Sequence, residues 1–216
     1  SLPTVLQRIL SVASDCRSGA DDLTEVVECD PTLAIRILKA VNSGYYCLRN
    51  EVSDLKMAIA LLGFREVRNL ALTVYVARLF RDSVNIGGYT REGLWNHMVA
   101  VGSIARVVSQ VCRKSTPDEA YMAGLIHDVG WILIDRFLHR HFRRILERLD
   151  EGTFVTCVEQ QQLSFDHTDL GAFLARESNF PDCISDAIQH HHHPDTYHGP
   201  HQDLLYVVVL ANYLAA

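Results

Sequence analysis

Apolar residues recur at intervals of three and four along most of the chain, and capping residues and prolines separate these runs. This spacing places apolar side chains on one face of an α-helix. Stretches in which apolar and polar residues alternate, as they do in strands, are few. The sequence therefore predicts an all-α fold.

The first 84 residues predict an N-terminal helical lobe. Asp30 and Pro31 supply an N-cap and a first-turn proline for one helix. Asp22 followed by Glu25 forms a candidate capping box for an earlier one. The other expected features of the lobe are helices at 55–62 and 64–80, with helix ends at Asn42-Ser43-Gly44 and at Gly63.

The only substantial linker is predicted at residues 81–91, where Asn85, Gly87 and Gly88 interrupt the apolar pattern. We place a boundary between residues 84 and 85 and expect a helical bundle over 85–216. Its predicted helices cover 94–112, 116–134, 142–149, 154–163, 167–177, 181–191 and 203–216.

The helix that begins at Thr116 is well marked, because an N-cap, a first-turn proline and a capping-box glutamate follow one another there. It should carry Ala123, His127, Gly130 and Ile134 on one face.

Composition narrows the class of protein. A chain of 216 residues with 48% hydrophobic content can form one large domain or two small helical lobes around a continuous core. A net charge of −6 argues against nucleic acid as a partner. Six scattered cysteines without a Cys-x-x-Cys pair are typical of small buried side chains in a reducing cytoplasm.

Nothing in the sequence predicts a membrane segment. The longest apolar run, residues 204–216, is too short to cross a bilayer, and the N-terminus lacks the features of a signal peptide. We therefore expect a cytoplasmic protein. The final helix has no stop signal, so we also expect a longer protein or a longer helix.

Histidines cluster on or beside the predicted helices, at His97, His127, His167 and His190–His193, and Asp128 adjoins one of them. Neutral imidazoles and carboxylates are ligands for divalent metals, and each helix could direct one ligand towards a common point. The alternatives are hydrogen-bonded core histidines and, for His190–His193, a polar helix end.

His127 and Asp128 are adjacent, and adjacent side chains on a helix diverge by about 100°. They can share one ion only at the edge of both faces, whereas in a dinuclear site Asp128 could bridge two ions while His127 binds one. Alternatively, Asp128 holds the imidazole in one tautomer without binding metal.

Residues 123–130, Ala-Gly-Leu-Ile-His-Asp-Val-Gly, resemble the signature of HD-superfamily metal-dependent phosphohydrolases. A wider match, spanning nearly the whole chain, resembles the HDOD family (HD-related output domain). It comprises Asp30-Pro31-x-Leu33, Asn42-Ser43-Gly44-x-Tyr46, Ala58-Ile59-x-x-Leu62-Gly63, Trp95-x-His97, Asp166-His167-x-x-x-Gly171 and His191-His192-x-Pro194.

The HDOD resemblance implies an HD-type helical bundle joined to an N-terminal helical lobe, in a bacterial signalling protein. Similarity to the related HD-GYP phosphodiesterases implies a divalent metal (Fe, Mn, Zn, Mg or Ni). In their pattern His97 is the first ligand, and the adjacent His127 and Asp128 form the His-Asp doublet that gives the superfamily its name. His167, with His191 or His192, would bind a second ion. Asp128 would be catalytic if the protein is an enzyme.

Three departures from that pattern argue against an active phosphodiesterase, and the third argues against hydrolysis of cyclic dinucleotides in particular. Trp131 stands where the HD-GYP pattern has a lysine, so a phosphate-binding cation is missing. Asn212 stands where a final aspartate ligand is usual, and its amide can ligate without offsetting the metal's charge. After His192 there is no Gly-Tyr-Pro sequence.

Two functions remain open. The preferred hypothesis is a signal-transduction module with an HD-type core, little or no catalysis and a regulatory protein as its partner. The alternative is a metal-dependent phosphohydrolase or phosphodiesterase that acts on a phosphorylated small molecule or nucleotide.

Overall fold

The computed structural model describes residues 3–15, 17–43, 48, 51–82, 84–149 and 152–216. Within these residues, thirteen α-helices account for nearly all the regular structure, alongside two short 3₁₀ helices and a two-stranded hairpin. The predicted all-α fold is confirmed. None of the described helices is both long and apolar enough to cross a membrane.

The chain divides into two compact units, Ser1–Val76 and Ala77–Ala216. The division falls after Val76, upstream of the boundary that the linker composition indicates at 84/85. The helices of the first unit are α1 (Thr4–Ser14), α2 (Ala20–Glu28), α3 (Pro31–Val41), α4 (Leu55–Leu62) and α5 (Phe64–Ala77, which ends one residue into the second unit).

Capping explains where two helices of the first unit begin. The Asp30 side chain accepts hydrogen bonds from the backbone of Thr32 (2.9 Å) and Leu33 (3.2 Å), as its role as an N-cap predicts. The expectation for Asp22 is wrong, because Asp22 is the third residue of α2 and its carboxylate accepts from the Gly19 amide at 2.7 Å. The helix therefore begins earlier than its acidic residues suggest.

The end of α3 is fixed by a side chain. Asn42 exchanges two hydrogen bonds of 2.8 Å with the backbone of Val52, which ties the helix end to the segment before α4. Gly44 and Tyr46 of the same motif lie outside the described residues.

The described residues of the second unit form eight α-helices, two 3₁₀ helices (Arg78–Phe80 and Pro194–Thr196) and a hairpin of β1 (Asn85–Ile86) with β2 (Tyr89–Thr90). The hairpin lies within the predicted linker at residues 81–91. The helices are α6 (Arg91–Cys112), α7 (Pro117–Ile126), α8 (Val129–Phe137), α9 (His139–Leu146), α10 (Val155–Leu163), α11 (His167–Glu177), α12 (Asp182–His190) and α13 (Gln202–Ala215).

The predicted continuous helix through residues 116–134 is wrong. α7 ends at Ile126 and α8 begins at Val129, and Asp128 between them has the non-helical angles φ −102° and ψ 15°. The break matters because it removes the divergence of about 100° that a regular helix would impose on His127 and Asp128.

Close contact between helices accompanies this break. A methyl group at Gly130, in the first turn of α8, would overlap the backbone carbonyl of His167 at the start of α11. A methyl group at Gly124 would come within 3.0 Å of backbone atoms of α6. The two glycines thus allow α7 and α8 to approach the helices that carry His97 and His167.

The cysteines do not all behave as predicted. Cys29, Cys112 and Cys157 are exposed, and Cys183 is half-buried. They lie near helix ends or on outward faces, where local periodicity is a poor guide to burial. The other two cysteines lie outside the described residues.

Candidate metal centre

The carboxylate of Asp128 lies at the centre of a group of imidazoles. Its Oδ2 is 3.2 Å from Nε2 of His127 and 3.9 Å from Nε2 of His97. Its Oδ1 is 3.4 Å from Nε2 of His167 and 3.3 Å from Nε2 of His191. Each oxygen therefore faces its own pair of histidines.

Four structural elements supply these side chains. His97 lies on α6, the doublet lies between α7 and α8, His167 is the first residue of α11, and His191 follows the last residue of α12. Because each side chain comes from a helix or its cap, packing of the helices fixes the geometry of the cluster.

Hydrogen bonds at Nδ1 determine how the buried imidazoles face the carboxylate. Nδ1 of His127 lies 2.7 Å from the carbonyl of Gly124, and Nδ1 of His191 lies 2.7 Å from the carbonyl of Ile188. Since a carbonyl can only accept, both Nδ1 atoms carry a proton and donate. In the neutral rings Nε2 is then a lone pair that points at Asp128.

Those inward atoms lack partners. His127 Nε2, His191 Nε2 and Asp128 Oδ1 are buried and make no hydrogen bond among the described residues. A lone pair facing a carboxylate oxygen at 3.3 Å is repulsive unless positive charge lies between them. Ligand atoms about 3 Å apart are what a metal with bonds of about 2.1 Å requires. The residues therefore fit a divalent metal.

The histidines and the carboxylate also shift one another's pKa values. Burial opposes charge on Asp128, yet the surrounding histidines, His127 first, hold the pKa of its carboxyl well below its usual range. Burial lowers the pKa of His191. Burial, with the nearby His191 and His167, lowers the pKa of His192 to about 3. The centre thus offers an ionised carboxylate and at least two neutral imidazoles.

The cluster is open to solvent on one side. His127, His167 and His191 are buried, whereas the His97 side chain is 27% exposed. One side of the His192 ring packs against His167 and His191, and the rest of the residue is exposed. Nε2 of His192 lies 3.1 Å from Nε2 of His167, so it adjoins the Asp128 Oδ1 pair. An ion or small ligand would reach the centre past His97 and His192.

The comparison that decides the family is with a model of the HDOD domain, which matches residues 1–194. The chain belongs to the HDOD family.

This HDOD chain is 24% identical over 98% of its length to an uncharacterised protein of Treponema pallidum (strain Nichols), and it spans 41% of that relative. The chain thus covers less than half the length of this curated relative.

Two solved structures share the fold. An HDOD domain protein of unknown function from Geobacter sulfurreducens is 25% identical, with a TM-score of 0.81 over 99% of this chain and 72% of that chain. A protein of Marinobacter aquaeolei VT8, provisionally named a signal transduction protein, is also 25% identical, with a TM-score of 0.77 over 99% of this chain and 48% of that chain.

Six of the residues predicted from the sequence come together in two groups that share Asp128. The ligand atoms of each group lie within 4.8 Å of one another. The first group is His97, His127 and Asp128, and the second is Asp128, His167, His191 and His192.

Asn212 remains a prediction. It lies half-buried on α13, a helix that packs against α6, but within the described residues no hydrogen bond links it to the cluster.

The other two histidines of the run turn away from the cluster. The His190 ring packs against Tyr197, and Nε2 of His193 lies 3.3 Å from the hydroxyl of Thr156.

Trp131 closes one side of the centre. Its indole packs 5.3 Å from the ring of Phe142 and 5.9 Å from that of His167, measured between ring centroids. An indole ring therefore occupies the position at which the HD-GYP pattern has a phosphate-binding lysine.

Sequence reasoning missed Glu159. Its carboxylate Oε2 accepts from Nδ1 of His167 at 2.6 Å and from the His167 backbone amide at 3.1 Å. Burial would lower the pKa of His167, but the Asp128 and Glu159 carboxylates raise it to about 9. The sequence offers one weak signal. Glu159 directly follows the apolar Val158, whereas the three residues after it are glutamines.

Proposed function

We propose that this HDOD chain is a regulatory module whose HD-type centre binds a divalent metal, serves as a structural or ligand-sensing core, and catalyses little or no hydrolysis. Its partner would be a regulatory protein that binds the helical surface. Family membership and the provisional name of the Marinobacter relative support a signalling role. The His/Asp cluster supports metal binding.

The proposal of little or no catalysis depends on one observation, that no lysine or arginine contacts the centre among the described residues. Among the described residues, no lysine or arginine forms an ion pair or hydrogen bond with Asp128 or with any histidine of the cluster. Phosphoryl groups are normally held by such cations. Trp131 instead presents an apolar ring next to His167.

The metal would be held by Asp128, His167, His191 and His192, whose ligand atoms lie within 4.8 Å of one another. His97 and His127 face the other oxygen of Asp128. When bound, the metal supplies positive charge that can polarise a ligand oxygen and lower the pKa of a bound water. Asp128 contributes the negative charge, and the buried imidazoles contribute fixed nitrogen ligands. A set rich in imidazole favours Zn, Fe or Ni over Mg among the candidate metals.

The test combines metal content with a hydrolysis panel. Protein purified without chelator should contain stoichiometric transition metal, which Asp128→Ala should lose. Protein loaded with iron or manganese should leave phosphomonoesters, cyclic nucleotides and cyclic dinucleotides intact. Hydrolysis that disappears with Asp128→Ala would overturn the low-catalysis proposal.

A second function, a metal-dependent phosphohydrolase, is favoured by one feature, since the two oxygens of Asp128 face separate histidine pairs. That arrangement suits a carboxylate that bridges two ions. The substrate would be a phosphorylated small molecule or nucleotide. Two metal equivalents per chain together with phosphoester turnover would select this function, whereas a metal-free wild type would exclude it.

A further inference from the structure

Glu159, on α10, contacts the centre through a single ligand. Its side chain is fully buried, and Oε2 binds both Nδ1 and the backbone amide of His167. These two contacts fix the ring at the start of α11 and leave Nε2 directed at Asp128, 3.4 Å away. Glu159 therefore acts on the centre through His167.

Among the described residues, no lysine or arginine pairs with Glu159, so the charge of its carboxylate is balanced only when His167 carries a proton or binds a cation. Within the described part of the chain, His167 is the only side chain that bonds to the carboxylate, and Oε1 is buried without a hydrogen-bond partner. Burial of a carboxylate is unfavourable unless positive charge and hydrogen bonds compensate it. Its presence calls for positive charge nearby.

The two buried carboxylates give the centre a charge of −2 when its imidazoles are neutral. One divalent cation on the Nε2 side of His167 would neutralise that charge. A carboxylate that accepts from Nδ1 of a ligating histidine also raises the basicity of Nε2 and holds the ring in the ligating tautomer.

We propose that Glu159 is a positioning residue of the metal centre, which orients His167 and whose negative charge strengthens binding of a divalent cation at Nε2. The inference rests on the proposed metal binding and deepens it. Glu159 itself does not contact the ion.

The experiment measures the affinity of wild type and Glu159→Gln for Zn²⁺ and Co²⁺ by competition with a chelator of known affinity. The glutamine amide can still accept from Nδ1, so this variant removes the charge and keeps the geometry. We expect affinity to fall by about 10- to 100-fold. The visible spectrum of the Co²⁺ form should change as well, which a purely structural role would not cause.

Glu147→Gln is the matched control. It makes the same chemical change in the same unit, at an exposed residue just after α9, and should leave affinity and spectrum unchanged. Glu159→Asp, which keeps the charge and shortens its reach, should also weaken binding and serves if the glutamine variant does not fold. Far-UV circular dichroism of the metal-free proteins monitors folding.

The outcomes separate the two proposals. A wild type that binds neither metal would overturn both the metal-binding function and the role of Glu159. A wild type that binds tightly, with equal affinity in a folded Glu159→Gln or Glu159→Asp variant, would overturn only the role of Glu159. The role of Glu159 is supported if the variant binds metal more weakly while its far-UV circular dichroism without metal matches that of wild type.

Discussion

Asp128 and Asp135 lie at the two ends of α8, yet their neighbours differ. Asp135 is fully buried and accepts from Arg91 at Nε (2.6 Å) and Nη2 (3.2 Å), from the Tyr89 hydroxyl and from Nδ1 of His139. Asp128 faces only imidazoles, and its Oδ1 has no hydrogen-bond partner in the described chain.

The comparison distinguishes a carboxylate that stabilises the fold, Asp135, from one that is placed to bind a metal, Asp128. Protein groups complete the charge and hydrogen bonds of Asp135, so it ties the hairpin and α6 to α8. The surroundings of Asp128 are imidazoles, which can carry a proton or give up that proton to bind a metal. Substitutions of Asp135 and Asp128 should therefore have different effects on stability and on metal binding.

The largest effect should come from Asp135→Ala. Removing this carboxylate leaves Arg91 buried without its partner, which should lower the free energy of unfolding by about 3–5 kcal/mol whether or not metal is present. Denaturant unfolding with and without chelator measures it.

The control for that variant is Asp203→Ala. Asp203 and its partner Lys114 are more than half exposed, so the change should cost at most about 1 kcal/mol. Equal losses in the two variants would contradict the structural role of Asp135.

Asp128→Ala should behave in the opposite way. In chelator it should lose only the attraction between the carboxylate and the surrounding histidines, which lowers the Asp128 pKa, and no buried arginine is left without its partner. At a metal concentration of about 100 times the wild-type dissociation constant, wild type should gain about 2.7 kcal/mol and the variant almost nothing. Thermal unfolding with and without Zn²⁺ measures the gain, and an equal gain in both proteins would exclude Asp128 as a ligand.

Gly130→Ala tests the packing on which both ends depend. The added methyl overlaps the carbonyl of His167, so α8 and α11 must move apart. We expect a loss of about 1–3 kcal/mol in chelator, together with weaker metal binding.

Gly88→Ala places a methyl in open space within the hairpin turn and should change stability by no more than about 0.5 kcal/mol. If Gly130→Ala is equally mild, the close approach of the two helices is not required for the centre.

The histidines of the centre could be predicted because each lies on a periodic helix and in a family motif. The break at His127 and Asp128 could not, since neither residue is a helix breaker and the break coincides with the contact between Gly130 and His167, which are far apart in sequence. Glu159 was hidden for a similar reason. A glutamate followed by three glutamines normally faces solvent, and its burial arises only where α10 meets the start of α11.

The turn of the hairpin could be predicted from the sequence, but its strands could not. Asn85-Ile86-Gly87-Gly88 carries the glycines that a tight hairpin turn requires, and Gly87 has a φ of 60°. Its strands are two residues long, too short for the alternation that identifies a strand.

The smallest expected effect is a pH dependence at the structural end of α8. Burial raises the pKa of Asp135, but the hydrogen bonds from Arg91 and His139 outweigh it and hold the pKa below the usual 3.8. A depressed folded-state pKa adds stability above the unfolded value, and this stability is lost as the pH falls through the folded value. The advantage of wild type over Asp135→Asn should therefore be constant near pH 6 and shrink from about pH 5 to about pH 2. Unfolding of both proteins in chelator across that range measures it, and an advantage that grows towards low pH would reverse the assignment of Asp135 as the ionised partner of Arg91.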